Sequence, residues 1–471
     1  AGHEDPVDGY DVVTTLDLDL QDVADKALRR PLEAQNALWG TTIVMETRTG
    51  EILAMANLGR DADGSFSERE NYALGRSMEP GSTFKLATML TLLDDAGMPV
   101  STVYDTHNGD PVTVGPAKNI RDSHRGDHEI DFRRAVASSS NVYFAKAMWD
   151  RYGVTGKKQQ YSDYLHEELH LGQTVGLEML GERKPSITTD WKVPDPGVML
   201  VKMAYGYRVR LAPIQMITFY NAIANDGVYV RPHLLKALRD ENGKDSIIHT
   251  PPIRDRICSE ENARKMQYML KQVVWGAHGT GRSLKNDKVA LAGKTGTCYS
   301  IDPATRQYNK SRKRLAFCGF FPADDPQYSC MVLTYYPKRN MFGAASTSGQ
   351  VMKNIAVKMF SRGLLGNSPD YSEGASGLQR AQLYGSTKPG RHKSVRQAAG
   401  IKAESHPAAP RSVAKGMVPS VLGLGLREAV VALEEKGFNV GFSGTGYVKG
   451  QVPPEGTPLA RGGKVTLTLA P

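Results

Sequence analysis

Ser82 and Lys85 stand three residues apart in the stretch EPGSTFKLATML, at the start of a segment that is otherwise oily. From Phe84 onward Leu86, Ala87, Met89, Leu90, Leu92 and Leu93 are apolar on every side, and Gly97 offers a C-terminal stop. A helix that is hydrophobic all round belongs in the core of a domain. Pro80-Gly81 suits the turn before it, which places Ser82 at the helix start and Lys85 one turn on, on the same face. Such a lysine either snorkels out to water on its aliphatic stem or loses its proton through desolvation. In the second case an unprotonated amine stands beside a hydroxyl, the pairing of a base with a nucleophile. S-x-x-K alone is a weak pattern, and the chain carries its own control: Ser412-Val-Ala-Lys415 also matches but has no apolar helix behind it. Only the first pair has the setting.

Three further groups could do chemistry. In Ser138-Ser139-Ser140-Asn141 the serines and the asparagine compete for backbone hydrogen bonds and weaken a helix interior. A break between two helices there would let Ser139 and Asn141 point into a cleft; a serine-rich helix face is the competing reading. Gly293-Lys-Thr-Gly-Thr297 falls on a predicted strand, where Lys294 and Gly296 face one way by period-two geometry. A glycine within a strand lets another backbone approach closely. A phosphate loop would need glycine five residues before Gly293, and Lys288 stands there, so the nucleotide reading fails. His166-Glu-Glu-Leu-His170 matches H-E-x-x-H, which on a helix sets two imidazoles on one face for zinc. Against a zinc peptidase, no third ligand is evident, and SDYLHEELHLG reads as an amphipathic surface helix with Leu165 and Leu169 inward.

The elements that must hold these groups can be read more coarsely. Thr41 to Thr47 and Glu51 to Asn57 form a predicted hairpin around Thr49-Gly50. Three more strands come late, in KVALAGKTGTCY, RLAFCGFF and YSCMVLTYY, the last two joined by the turn cluster PADDPQ. Between them the pattern is helical, with Asp131 as a possible N-cap, Gly153 as a stop, and a second run from Ala212 to Gly227. A further helix pattern runs from Gly349 to Phe360. Strands at both ends with helices between imply one antiparallel sheet completed by both halves, with helices on its faces, an α/β (α+β) class. The division expected is a main domain over 1–362, a Gly-, Ser-, Pro- and Lys/Arg-rich flexible linker over 363–415, and a small separate α+β module over 416–471, whose helix spans Leu426 to Lys436.

Composition narrows the classes. At 471 residues the chain exceeds a single core, and Lys plus Arg exceed Asp plus Glu by 59 to 50, thinly spread. No DNA- or RNA-binding signature accompanies that excess, so no nucleic-acid partner is expected. Four cysteines do not form a disulfide scaffold or a C-x-x-C site. Cys318 and Cys330 fall on two strands flanking one turn, which leaves a cross-strand bridge open, with free thiols the expected state. No apolar run is long enough to span a bilayer.

Ser82-x-x-Lys85, Ser139-Ser140-Asn141 and Lys294-Thr295-Gly296-Thr297, in that order, form the motif trio of the penicillin-recognising serine enzymes. Over roughly residues 8 to 362 the sequence resembles the transpeptidase domain of a class B penicillin-binding protein of the cell-division type, supported by TTLDLDLQ, TGEILAMAN, SMEPGSTFK, GLEMLGE and AFCGFFPADDPQY. Val418 to Pro471 resembles a PASTA module, a type linked in related proteins to wall or partner recognition. The resemblance implies a penicillin-recognising fold and a peptidoglycan D,D-transpeptidase that cross-links stem peptides through a serine acyl-enzyme and is acylated by β-lactams. It implies Ser82 as nucleophile, Lys85 as general base beside cationic Lys294, and Ser139 as proton relay to the leaving amine. Asn141 would hold a substrate amide, and Thr295, Gly296 and Thr297 would lie along the bound substrate. Thr295 and Thr297 would bind its terminal carboxylate, and the N–H groups of Ser82 and Thr297 would form the oxyanion hole. No metal and no organic cofactor is implied.

Two departures matter. Ser140 stands where class A β-lactamases have Asp, and neither their Glu-x-x-Leu-Asn segment nor the Tyr-Gly-Asn of class D enzymes is found. Full-length relatives carry an N-terminal membrane anchor and a pedestal domain that this sequence does not contain. The expected location is therefore the periplasmic, extracytoplasmic face of the bacterial inner membrane, with division or wall-synthesis partners bound through those missing regions. A non-cross-linking β-lactam or wall sensor is the alternative within the same fold.

Overall fold

The computed structural model describes residues 9–247, 255–302, 305, 307–339, 343–365 and most of 417–470. The chain divides into two compact units, Ala1–Thr387 and Lys388–Pro471. Apart from 363–365, the segment expected to be a linker lies outside the described residues, as does the pair Ser412 and Lys415.

The first unit is built on the sheet that the strand pattern requires. Its strands are Trp39–Glu46 (β1), Ile52–Arg60 (β2), Phe66–Ser67 (β3), Ala292–Ile301 (β4), Tyr308–Phe321 (β5) and Tyr328–Tyr335 (β6). They pair in the order β4-β5-β6-β1-β2-β3, antiparallel throughout, so the N-terminal hairpin completes a sheet begun by the C-terminal strands. β6 meets β1 with Tyr328 opposite Glu46 and Tyr335 opposite Trp39.

Both faces of this sheet are covered, which is why its strands read as nearly unbroken apolar runs. One face, carrying Ile43, Met45, Phe320 and Met331, packs on Pro213–Ala224, a helix all of whose residues are buried. The other face, with Val44, Ala56, Phe317 and Val332, packs on Leu18–Gln35 (α1) and Gln350–Ser361. Truncating a core residue such as Ile217 or Phe219 to Ala should cost about 2–5 kcal/mol.

The register also decides the cysteines. Cys318 pairs with Met331 and Cys330 with Gly319, so the two thiols point to opposite faces of the sheet. Side chains alternate across a strand, and a bridge between these positions is geometrically excluded. All four cysteines are free and buried.

The oily segment is one continuous helical run in three hydrogen-bond registers: a 3-10 turn over Gly81–Phe84, an α-helix over Lys85–Leu90 (α2) and a π turn over Thr91–Asp95. Gly97 follows with φ +59°, the expected stop. The serine-rich stretch does break: Phe132–Ser138 (α3) ends on Ser139 at φ 61°, and Asn141–Met148 (α4) begins after Ser140, whose hydroxyl caps it by accepting from Tyr143 N at 3.0 Å.

The second unit contains Asn439–Ser443 (β7), Tyr447–Val452 (β8) and Lys464–Ala470 (β9), with β9 central, parallel to β7 and antiparallel to β8. Residues 429, 430, 432 and 433 are helical, within the span where a helix is expected.

Candidate active site

Three segments converge on one amine. Lys85 is 0% exposed, and its Nζ donates to Ser139 O at 2.6 Å and to Asn141 Oδ1 at 2.7 Å. The same nitrogen lies 3.2 Å from Ser139 Oγ and 3.3 Å from Ser82 Oγ. The Phe144 ring lies 5.8 Å away. The two readings of Lys85 are thereby decided: it does not snorkel. Burial lowers its pKa from the ordinary lysine range to about 7, offset in part by the negative charge of Asp122. An amine so placed is substantially unprotonated near neutrality.

Lys294 on β4 is also 0% exposed. Burial pushes its pKa well below the ordinary value, and the charge of Lys85 pushes it the same way. Two ammonium groups this buried and this close cannot both keep their protons cheaply. Lys294 Nζ has a long contact of 3.5 Å to Thr295 O.

The break at Ser139 puts this geometry within reach. Its left-handed backbone turns the chain so that the Ser139 carbonyl and hydroxyl, and the amide of Asn141, face the same amine. Asn141 Nδ2 donates to Arg121 O at 2.9 Å, which orients its oxygen toward Lys85. Asp122 then accepts from Asn141 N at 2.5 Å and Val142 N at 2.9 Å, holding the first turn of α4. An anion there is favoured by the helix dipole.

On β4 the expected alternation holds: Lys294 and Gly296 face the start of the oily helix. A Cβ at Gly296 would lie 2.8 Å from Thr83 Cγ2 and 3.3 Å from Pro80 O, so only glycine admits this approach. Thr295 turns to the other side, with its Oγ1 2.8 Å from Thr280 Oγ1, and Thr297 is exposed. Among the described residues β4 pairs only with β5, which leaves its outer edge open to another strand. The turn that carries Ser82 is locked by backbone contact. Gly81 N donates to Gly206 O at 3.0 Å, and a Cβ on Gly206 (φ +83°) would fall 2.0 Å from Gly81 O. Ser82, Lys85, Ser139, Asn141, Lys294 and Thr295–Thr297 thus belong to one region.

Sequence reasoning missed Asp122 and Thr280. Both sit in loops, Asp122 in RDSHRGD and Thr280 in HGTGRS, where no local periodicity marks them.

The zinc reading is corrected. The helix over Lys158–Asp163 ends in a π turn over Tyr164–Glu168, and His170 lies beyond it with φ 53°. The two imidazoles therefore do not stand one α-turn apart. His166 Nε2 lies 3.3 Å from Ile187 O, and the His170 ring packs 5.1 Å from Tyr229. Among the described residues no cluster of three metal-ligating side chains occurs.

The chain matches the model of the penicillin binding protein transpeptidase domain over residues 40–357 and that of the PASTA domain over 416–471. It is 28% identical over 369 residues to a protein of Neisseria meningitidis called probable peptidoglycan D,D-transpeptidase PenA, covering 77% of this chain and 58% of that one. It is 27% identical over 361 residues to stage V sporulation protein D of Bacillus subtilis, covering 74% and 53%. The chain thus spans little more than half the length of these curated relatives. Among solved structures, penicillin binding protein 3 of Mycobacterium tuberculosis complexed with aztreonam matches with a TM-score of 0.67 at 25% identity, covering 79% of this chain and 83% of that one.

Proposed function

Because the chain belongs to the penicillin-binding protein transpeptidase family, we propose that it is a peptidoglycan D,D-transpeptidase working through a serine acyl-enzyme. The observation that carries this reading is the Lys85 amine, fully buried, 3.3 Å from Ser82 Oγ and with a pKa brought to about 7.

Lys85 in its neutral form takes the proton from Ser82 Oγ as the oxygen attacks the carbonyl carbon of a D-Ala-D-Ala amide. The N–H groups of Ser82 and Thr297 hold the developing oxyanion, the kind of preorganised donor pair that stabilises acyl transfer. Collapse breaks the C–N bond, the leaving D-Ala nitrogen receives a proton relayed through Ser139, and Ser82 is left as an ester. The amine of a second stem peptide then attacks; the new amide forms, the ester C–O bond breaks, and Ser82 Oγ recovers its proton. The donor peptide lies along the free edge of β4 as an added strand, with its terminal carboxylate on Thr295 and Thr297. Asn141 keeps one N–H for a substrate carbonyl after serving Arg121. β-Lactams enter the same path and stop at the ester, since none of the described side chains at this site is placed to activate a hydrolytic water.

The site of action is the extracytoplasmic face of the cell envelope; no helix among the described residues is long and apolar enough to cross a membrane. The test is direct. Penicillin should form an adduct that peptide mass mapping places on Ser82. An adduct at any other residue would refute the assignment.

A further inference from the structure

An oxyanion hole works when two N–H groups meet at one oxygen, and in the proposed mechanism these come from separate elements. Ser82 N belongs to the 3-10 turn Gly81–Phe84, and Thr297 N to β4. Steric contact keeps turn and strand from closing further. A Cβ at Gly296 would lie 2.8 Å from Thr83 Cγ2, and one at Gly81 would lie 3.1 Å from Cys298 Cβ and 3.2 Å from Thr297 O. Such contacts set the least distance between the two elements but do not hold them together. Among the described residues no backbone hydrogen bond joins residues 79–84 to β4. A tether must come from side chains.

Glu79, just before the turn, supplies one. Its Oε1 accepts from Tyr308 Oη at 2.8 Å and from Arg208 N at 2.9 Å. Its Oε2 lies 3.8 Å from Arg314 Nη2, and only 12% of the Glu79 side chain and 9% of the Arg314 side chain are exposed. Tyr308 and Arg314 both stand on β5, the strand paired with β4. Arg314 also reaches β4 itself: Nη2 donates to Tyr299 O at 3.0 Å and to Cys298 Sγ at 3.1 Å, immediately beyond Thr297. The Arg208 contact brings in a third element. Arg208 has φ 63°, a conformation that a non-glycine residue keeps only where its surroundings hold it. Gly206 of the same loop accepts from Gly81 N at 3.0 Å, and Tyr207 between them packs edge-on against Tyr308 at 5.3 Å. One carboxylate thus gathers the turn, the 206–208 loop and the β4–β5 pair.

We propose that Glu79 is a positioning residue for the oxyanion hole: it holds the turn that carries Ser82 against the strand that carries Thr297, so that both N–H groups point at one oxygen. The inference rests on the transpeptidase reading. A nearly buried ion pair is a weak source of stability, because both charges lose water; what this one supplies is fixed geometry. Glu79 gives and takes no proton. As Ser82 Oγ adds to the carbonyl carbon, the carbonyl π pair moves onto oxygen, and both donors must meet it there. With the tether cut, turn and strand drift apart and one donor falls short.

The test uses the full chain and benzylpenicillin labelled with carbon-13 at its β-lactam carbonyl. Stopped-flow labelling separates the affinity of the first complex from the rate constant of acylation. Infrared difference spectra read the ester carbonyl of the adduct, whose stretching frequency rises as its hydrogen bonds weaken. Glu79→Ala removes all three contacts and should lower the acylation rate constant by about 10- to 100-fold, the scale of a misplacement of up to about 1 Å. The first complex should keep its affinity, and the ester band should move to higher frequency. Glu79→Gln keeps an oxygen for Tyr308 and Arg208 and should recover part of the rate. Tyr308→Phe, at a partly exposed position, removes one bond without changing charge and should give a smaller loss of the same kind; it decides the matter if Glu79→Ala fails to fold. An ordinary rate and band position in the deciding variant, or a loss of affinity alone, overturns the proposal. A slowed chain whose ester band stays in place has its defect outside the oxyanion hole, which overturns it too. Faster acylation in Glu79→Gln would mark the carboxylate as a charge opposing the oxyanion and refute the positioning role. A wild-type chain that is not acylated at Ser82 fails the transpeptidase reading itself.

Discussion

One buried amide of the second unit and two buried amines of the first are held in opposite ways. In the second unit Gln451 is buried among Val421, Val448 and Leu467, and its amide is satisfied at both ends. Its oxygen accepts from Val421 N at 2.8 Å, and its nitrogen donates to Pro419 O at 3.0 Å and Pro453 O at 3.3 Å. A polar group so saturated fixes a loop and has nothing left to react. In the first unit Lys85 and Lys294 are buried with no carboxylate among the described residues paired to either amine at salt-bridge distance, and Lys85 touches a hydroxyl that itself remains partly accessible. Burial by itself therefore does not mark a reactive site. What marks one is burial that leaves a proton easy to move.

The contrast can be broken most severely at Ser82. Ser82→Ala should abolish penicillin labelling while the melting temperature and circular dichroism are kept; persistent labelling would detach the chemistry from this region. Lys85→Ala should slow acylation by about 10² to 10⁴, the usual contribution of a positioned base, as read by stopped-flow labelling. A near-normal rate would remove Lys85 from the base role. Lys294→Ala should cost about tenfold in acylation, split between affinity and rate, since it withdraws one hydrogen-bond donor near the carboxylate.

The same contrast predicts a pH profile. Lys85 acts as a base only when unprotonated, and burial brings its pKa to about 7. Acylation should fall about tenfold per pH unit well below that value and level off above it, following one titrating group. Linkage carries the same sign. A lysine whose folded pKa lies below its unfolded value binds fewer protons when folded, so its burial costs stability that is recovered as pH rises from about 7 toward the ordinary lysine range. Lys85→Ala should flatten the kinetic profile. The smallest effect is expected in the other unit. Deleting 416–471 should leave penicillin acylation within about twofold, because independent sites behave nearly additively. A large loss with the first unit still folded would show that the two regions are energetically coupled.

Much of the active centre could be read from residues alone because its parts carry local signatures. An apolar helix leaves Lys85 no easy route to water, serines break a helix at Ser139, and alternation on a strand puts Lys294 and Gly296 on one face. The sheet was readable for a similar reason, since its hairpins and turns are near-neighbour features. Asp122 and Thr280 were not, because each is brought to the site by packing between distant loops. The cysteines teach the same lesson in reverse. Strand pattern alone left a Cys318 to Cys330 bridge open, and the register between β5 and β6 removed it. His166 and His170 matched a spacing but not a conformation.

The contact between Gly81 and Gly206 constrains how this site can change over generations. A carbon added at Gly206 would collide with the Gly81 carbonyl, and both residues have positive φ, so neither position has an accessible neighbour in mutational space. Variation that reshapes the pocket is thereby channelled into side chains around Ser82, not into the turn that carries it. An inhibitor that takes its grip from the backbone of that turn would address the part of the pocket least able to drift away from it.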